Sequence, residues 1–176
     1  VGLRVRGSAP ALLPGGGYML FQTRGADPGI HVGSLGGDED ARLLLDVSAP
    51  QYSPSGHILF VRQGTLMAQP FDAVGRTLTG EAIAVAEHVR GFSVSATGIL
   101  VYATANGGTS AELEWWERSG PDAAMSVKPV IDVAGPSTPT IAPDEKSFAF
   151  ARDGRVRVQD LGRGTEATLT RDGSAH

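Results

Sequence analysis

Short apolar runs, each preceded by a small turn, divide the chain into repeated units. The runs alternate or are β-branched and aromatic, which is typical of buried β-strands. In chain order they are Tyr18–Phe21, Ile58–Val61, Ile99–Tyr102 and Ser147–Ala151. The turns before them are rich in Ser, Pro and Gly and cover residues 13–17, 53–57, 95–98 and 142–146. The pattern predicts four units that begin alike.

The spacing of these units predicts their architecture. Gly56 follows Gly16 by 40 residues, Ser95 follows Ser53 by 42, and Ala142 follows Ser95 by 47. A period of about 40–45 residues is that of a four-stranded β-propeller blade. Helical HEAT repeats have a similar length, but the abundant Gly, Pro and β-branched residues argue against helices.

Each unit contains further strand candidates after its first run. Arg155–Gln159 alternates strictly after Asp153-Gly154, the strongest hairpin signal in the chain. Thr65–Phe71 follows a second turn at Gln63-Gly64. Residues 81–89 contain helix formers, but Ala82–Ala86 alternates like a strand, which we favour. The remaining candidates are Ile30–Ser34, Arg42–Leu45, Glu112–Glu117 and Thr165–Leu169.

The turn phrases resemble those of a known repeat family. Tyr52–Gly56 and Thr140–Asp144 are similar to the opening phrase of the PD40, or TolB-like, class of WD40-like β-propeller repeat. Ser93–Gly98 is a looser copy and Leu13–Gly16 the weakest. The stretch from Gly64 to Tyr102 also resembles part of the C-terminal propeller of bacterial Ser/Thr protein kinases. The phrases that carry this second likeness are Gly64–Asp72, Leu78–Glu81 and Phe92–Ser95.

The resemblance implies an all-β fold, a partial β-propeller of about four blades, each a four-stranded antiparallel sheet. Such propellers usually contain six or seven blades, so we expect further blades beyond this chain. We place a lead-in strand from a preceding blade or linker at 1–12. The four blades are then expected at 13–50, 51–90, 91–136 and 137–176.

Composition and charge argue against some classes of partner and some kinds of chemistry. The chain of 176 residues has a net charge of −4 and no dense basic stripe, which argues against nucleic acid. No apolar run approaches 18 residues, so this segment predicts no membrane insertion. The absence of cysteine excludes disulfides and thiolate chemistry but leaves the compartment open. The resemblance slightly favours the periplasmic side.

No residue pattern predicts catalysis or a cofactor. Gly91–Ser95 resembles a G-x-S-x-G nucleophile elbow but lacks the last glycine, and the clusters at 15–17 and 33–37 fit no phosphate-binding loop. No kinase catalytic phrase occurs, so a kinase active site would lie outside this chain. We interpret the Ser-Pro-x-Gly phrase as a tight turn rather than a phosphorylation or ligand site.

The metal candidates are equally weak. Asp38-Glu39-Asp40 is an acidic run that we interpret as a solvated loop rather than a cation site. The histidines have no metal-ligand spacing, so no metal site is predicted. They are His31, His57, His88 and His176.

One pair of residues is a candidate partner contact. Trp115 and Trp116 are adjacent in a predicted strand, so their side chains should point to opposite faces. One is expected to pack between blades, and an exposed one could anchor a partner.

The sequence therefore predicts a non-catalytic propeller module that binds a protein or small ligand as a sensor or scaffold within a larger bacterial protein. Two alternatives stay open. One is an accessory propeller of a Ser/Thr kinase or serine peptidase whose catalytic domain lies outside the chain. The other is a periplasmic TolB-like envelope protein. Open blade edges also predict self-association.

Overall fold

All the regular structure in the described part of the chain is β-strand. The computed structural model describes residues 7–37, 39–105, 110–117, 126–134 and 138–170. Between residues 105 and 137 it describes the backbone of the strands but not the side chains. The chain folds as two units, Val1–Glu87 and His88–His176. Within the described residues, no helix has the length and apolar character needed to cross a membrane.

The first unit contains two antiparallel sheets. In the first sheet the strand order is β1-β2-β3-β4. In the second it is β5-β6-β7-β8, and β9 also pairs with β7. The strands are β1 (Ser8–Leu12), β2 (Tyr18–Thr23), β3 (Gly29–Ser34), β4 (Asp40–Leu44), β5 (Gln51–Ser53), β6 (His57–Arg62), β7 (Thr65–Asp72), β8 (Thr77–Leu78) and β9 (Ile83–Ala86).

The second unit repeats this plan in a third and a fourth sheet. Their strand orders are β10-β11-β12-β13 and β14-β15-β16-β17. The strands are β10 (Val89–Val94), β11 (Leu100–Ala105), β12 (Ser110–Glu117), β13 (Ser126–Ala134), β14 (Thr140–Ile141), β15 (Ser147–Arg152), β16 (Arg155–Asp160) and β17 (Glu166–Thr168). Apart from β9, each sheet is thus a meander in which consecutive strands are neighbours.

Two hairpins have the turns that their sequences predict. Asp153 and Gly154 have φ values of 53° and 69°, and Gln63 and Gly64 have 51° and 82°. Positive φ at both central residues is the geometry of a type I′ turn, whose twist matches that of the flanking strands. These turns fix the register in which Arg152 pairs with Arg155 and Arg62 with Thr65.

An aromatic residue occupies the same register position on the second strand of every sheet. Its cross-strand partners differ, but it is buried each time. The four aromatic residues and their partners are Phe21 with His31, Phe60 with Met67, Tyr102 with Glu114 and Phe150 with Arg157. The repeat therefore specifies a packing position as well as a turn.

In each unit the core lies between the faces of its two sheets. In the first unit, Leu20 and Ile30 of the first sheet pack with Ile58 and Phe60 of the second. In the second unit, Val101 and Ala103 pack with Phe148 and Phe150. Burying such side chains contributes roughly 1.5–3 kcal/mol each, so these facing surfaces hold each pair of sheets together.

The first strand of the chain pairs within the first sheet. β1, expected as a lead-in from a preceding blade or linker, belongs to the first sheet, because Leu12 pairs with Met19 and Ala11 with Leu20. The sequence of β1, Ser-Ala-Pro-Ala-Leu, has neither alternation nor β-branched residues, so it did not indicate which sheet the strand joins. The strand interpretation of residues 82–86 is confirmed by β9, which pairs with β7.

Candidate binding surface at the repeated turns

The four repeated turns share one backbone design. In each, the amide of the fourth residue donates to the carbonyl of the first: Gly16 to Leu13 (3.1 Å), Gly56 to Ser53 (2.9 Å), Gly98 to Ser95 (3.1 Å) and Glu145 to Ala142 (2.9 Å). The fourth residue has a positive φ every time, at 69°, 78°, 98° and 57°. Glycine adopts this left-handed backbone conformation without steric strain, whereas a residue with a Cβ does not. Glu145 is therefore the exception among the four turns.

The serines that open the second and third turns are structural. Ser95 Oγ accepts hydrogen bonds from the amides of Thr97 (3.3 Å) and Ile99 (3.0 Å). Ser53 Oγ accepts a longer bond from the amide of Ser55 (3.4 Å). Both serines are buried. This geometry is that of a serine-closed turn and agrees with the interpretation of the Ser-Pro-x-Gly phrase as a turn.

In the first, second and fourth sheets the repeated turn lies at one end of the sheet, beside the residues that end or follow the third strand. In the first sheet the amide of Leu35 donates to the carbonyl of Gly17 (3.0 Å), and in the fourth the amide of Leu161 donates to Lys146 (2.8 Å). In the second sheet the amide of Phe71 donates to Gly56 (2.9 Å). We call this end of each sheet, with the described connections that lie there, the turn edge.

In the first unit the turn edge presents fixed polar and aromatic groups. The guanidinium of Arg76 lies over the ring of Tyr18, 4.3 Å from its centroid. His57 Nδ1 lies 2.9 Å from the Ser55 carbonyl and 3.1 Å from its hydroxyl. A Cβ added at Gly16 would meet nothing within 4 Å, so the first turn is open to its surroundings.

In the second unit a carboxylate connects two turns. Glu145 Oε2 accepts a 2.6 Å bond from Thr97 Oγ1, and Oε1 accepts a 3.2 Å bond from the Thr97 amide. Hydrogen bonds from Thr97, and then from Ser95, lower the pKa of Glu145 despite partial burial. The negative charge is therefore held in place at the turn edge.

A second group of charged residues lies within the first sheet, away from the turns. His31 is only 3% exposed and stacks on Phe21, with ring centroids 5.5 Å apart. Its Nε2 lies 3.8 Å from Asp27 Oδ2 and its Nδ1 3.7 Å from Asp40 Oδ1. Arg42 pairs with Asp27. Nothing in the sequence spacing predicted this cluster, because the β3–β4 register brings its members together.

The fourth sheet carries a charged cluster at the equivalent register. Glu166 accepts bonds from Arg152 Nη2 (2.5 and 2.6 Å) and pairs with Arg157. Burial alone would raise the pKa of Glu166, but the hydrogen bonds and charges of Arg157 and Arg152 lower it. Arg157 pairs with Phe150 as His31 pairs with Phe21, so the two clusters occupy the same place in the repeat.

Four other residues that the sequence analysis singled out lie in or between the strands as follows. Ser93, of the imperfect nucleophile phrase, lies in β10, and its Oγ accepts a 3.4 Å bond from the Ile141 amide. Trp115 and Trp116 lie in β12, paired with Val101 and Leu100, but their side chains are outside the described part, so the partner contact stays a prediction. Asp38 also lies outside it.

Where the structure describes them, the residues of the acidic run and the histidines form no cluster of metal ligands. Within residues 7–170, apart from the gaps given above, no three His, Asp or Glu side chains are placed to hold a metal ion. The carbonyl of Glu39 accepts a 3.0 Å bond from the Ser34 amide, so it helps to close the loop before β4.

Comparison with solved structures assigns the fold. TolB from Acinetobacter baumannii has a TM-score of 0.66 and 18% identity, over 93% of this chain and 43% of that one. An auxiliary nutrient binding protein from Bacteroides thetaiotaomicron has a TM-score of 0.64 and 8% identity, over 97% of this chain and 44% of that one. The β-propeller domain of Myceliophteria thermophila Cps50 (Swd1) has a TM-score of 0.59 and 12% identity, over 96% of this chain and 57% of that one.

The predicted fold class is thus confirmed as all-β, a partial β-propeller built of four- and five-stranded antiparallel sheets. The chain spans about half the length of the solved structures it matches. No protein-family model and no curated protein matches it. At these identities the likeness concerns the fold alone.

Proposed function

We propose that the chain is a non-catalytic binding module that takes a protein or peptide ligand at its turn edge. The observation that carries this proposal is that polar groups in and beside the repeated turns are held in fixed positions. In the first unit these groups are Tyr18, Arg76 and His57, and in the second unit they are Thr97 and Glu145. Loops held by a rigid scaffold are where β-rich proteins commonly place their binding residues.

The chemistry of the turn edge favours a polar, hydrogen-bonding ligand. Arg76 over Tyr18 offers a cation on a flat aromatic surface, a combination common at binding hot spots. The carboxylate of Glu145 offers a fixed acceptor. A peptide segment can supply the group complementary to either one, whereas nucleic acid would require a basic surface that a net charge of −4 does not provide.

The setting we propose is a larger bacterial protein in which this module acts as a sensor or scaffold. Support comes from the resemblance of Gly64–Tyr102 to the propeller region of bacterial Ser/Thr kinases and from the greater length of the matched structures. Sequencing the flanking coding region tests this setting. A kinase domain would support the kinase version, a hydrolase domain the peptidase version, and a signal peptide directly upstream the envelope version.

Site-specific photo-crosslinking tests the binding surface. A benzoylphenylalanine introduced at Ser55, on the turn edge, should crosslink a protein from an extract of the source organism. The same probe at Ala26 is the control, because Ala26 is exposed in the turn between β2 and β3, at the end of the first sheet opposite its turn edge. We expect an adduct from Ser55 that Arg76→Ala weakens. An adduct formed equally from both positions would contradict the proposal.

A further inference from the structure

Arg76 is an exposed arginine on the turn edge of the first unit, and its guanidinium lies over the ring of Tyr18. The distance from Cζ to the ring centroid is 4.3 Å. Arg76 lies in the turn between β7 and β8, and Tyr18 begins β2, so the contact runs from the second sheet to the first. Tyr18 is half-buried against the core of the first unit. The ring is therefore a fixed platform for the long arginine side chain.

The charge of Arg76 has no carboxylate partner in the described part of the chain, where no carboxylate oxygen lies within 4.0 Å of its nitrogens. Two other arginines of the first unit do have one, since Arg42 pairs with Asp27 and Arg62 with Asp46. The acid nearest to Arg76 in sequence, Asp72, is bonded to the backbone of its own turn. An aromatic ring attracts a guanidinium but offers no acceptor that matches its planar fork of N–H donors. These donors therefore remain for a ligand.

The backbone at Arg76 is also strained. Its φ of 58° lies in the left-handed region, which a residue with a Cβ adopts at a cost. Glu145 has a similar φ, and its side chain is bonded to Thr97. Arg76 likewise holds its side chain against another segment, at the ring of Tyr18. Strained residues of this kind are concentrated at ligand clamps, so the conformation supports a binding role for the arginine.

The repeated turn beside Tyr18 leaves room for another chain. Gly17 directly precedes the tyrosine, and Gly15 and Gly16 stand before it in the same turn. All three glycines are exposed, and a Cβ added at any of them would meet nothing within 4 Å. Glycine permits the close approach of a second backbone. A ligand can therefore lie on this turn and reach the guanidinium.

We propose that Arg76 and Tyr18 form an anchor for a carboxylate side chain, so that the ligand of the turn edge is an acidic peptide segment. This inference rests on the proposed function and adds the chemical class of the ligand. A guanidinium pairs with a carboxylate through two parallel N–H···O bonds, and a side chain already held on the ring loses less freedom on binding. Phosphate groups are recognised by clusters of arginines, whereas this turn has one arginine and begins at Asp72, which suits a singly charged group.

A random-peptide phage library, selected on the full chain, supplies the probe peptides for the test. Each selected peptide is checked for crosslinking to the benzoylphenylalanine probe at Ser55. It is then made with a fluorescent label in two forms, as selected and with every Asp and Glu replaced by Asn and Gln. Fluorescence anisotropy measures the binding of both forms to the wild type, Arg76→Gln, Arg76→Lys and Arg24→Gln. Arg24 is exposed between β2 and β3, so its variant loses the same charge at the opposite end of the first sheet.

We expect the selected peptides to be rich in Asp and Glu. Arg76→Gln should weaken the binding of the acidic form by about tenfold or more, and Arg24→Gln by less than about twofold. Arg76→Lys keeps the charge but not the planar fork, so it should lie between the wild type and Arg76→Gln. The neutral form should bind the wild type and Arg76→Gln equally, because the two changes remove the same pair. Far-UV circular dichroism checks that each variant is folded.

The outcomes separate this inference from the proposed function. Peptides that crosslink to the Ser55 probe but carry no excess of Asp and Glu would overturn the inference and leave the proposed function standing. So would an equal loss of both peptide forms on Arg76→Gln, because the arginine would then only hold its turn in place. Displacement by inorganic phosphate at concentrations where acetate has no effect would overturn the carboxylate assignment. A failure to select any peptide that crosslinks to the Ser55 probe would contradict the proposed function itself.

Discussion

The side chain of Glu145 joins the fourth repeated turn to Thr97 in the third. Its two carboxylate oxygens accept the hydroxyl of Thr97 at 2.6 Å and its amide at 3.2 Å. The backbone of Glu145 has a φ of 57°, a conformation that glycine holds in the other three turns. The hydrogen bonds to Thr97 offset the strain of placing a non-glycine residue there, which explains why this turn departs from the repeat.

A double-mutant cycle should measure this connection. Thr97→Val and Glu145→Ala each remove the hydroxyl–carboxylate bond, and each should lower the free energy of unfolding by about 1 kcal/mol. The double variant should lose less than the sum, by about 0.5–1 kcal/mol. Urea denaturation provides all four values. Strictly additive losses would mean that the two residues do not interact.

Glu145→Gly separates the strain from the hydrogen bonds. Glycine loses the same bonds as alanine but relieves the left-handed backbone, so Glu145→Gly should be more stable than Glu145→Ala by about 1 kcal/mol. The same urea titrations supply the comparison. Equal stabilities would show that the backbone at residue 145 is not strained.

The connection should also be pH-dependent. The bonds from Thr97 lower the pKa of Glu145 in the folded chain relative to the unfolded chain. Such a group contributes stability that is fully present above its unfolded pKa and is lost as the pH falls through the folded pKa. We therefore expect the stability difference between the wild type and Thr97→Val to shrink below the ordinary glutamate range. Thermal unfolding from neutral to acid pH checks this, and a difference that grew in acid would contradict it.

The repeat and its turns could be predicted from the sequence because they depend on local chemistry. Asp153-Gly154 and Gln63-Gly64 specify type I′ turns through their tolerance of positive φ, and both turns have that geometry in the folded chain. The apolar runs predicted the second strand of each sheet for the same reason. The sheet to which β1 belongs could not be predicted, because it depends on the pairing of β1 with β2, which no local pattern reveals.

The charged side chains could not be placed from the sequence. Glu145 occupies a turn position that glycine holds in the other three repeats, and its partner Thr97 is 48 residues away. From the sequence, His31 had no assigned role beyond the lack of metal-ligand spacing among the histidines, and the structure buries it between Asp27 and Asp40. Both arrangements depend on strand register and on packing between distant segments. Neither register nor packing can be predicted from the type of an individual residue.

Two glycines should differ sharply in their tolerance of alanine. Gly56 has a positive φ but open space around an added Cβ, so Gly56→Ala should cost only the backbone strain, about 1 kcal/mol. At Gly29 the added Cβ would come within 2.2 Å of the Leu44 carbonyl oxygen, so Gly29→Ala should cost about 3 kcal/mol or more. Chemical denaturation of the two variants compares them directly, and similar losses would contradict the packing of β3 against β4.

The aromatic position of the repeat should dominate the stability of the first unit. Phe60 is completely buried among Leu20, Ile30 and Ile58, where its removal leaves a cavity that rigid strands cannot close. Phe60→Ala should lower the free energy of unfolding by about 3–5 kcal/mol, and Phe60→Leu by a smaller amount. Val74→Ala, at a side chain that is 88% exposed, is the control and should change stability by less than about 0.5 kcal/mol. Urea titration gives these values, and a loss for Phe60→Ala no larger than that of the control would mean that the facing sheets do not form the core described above.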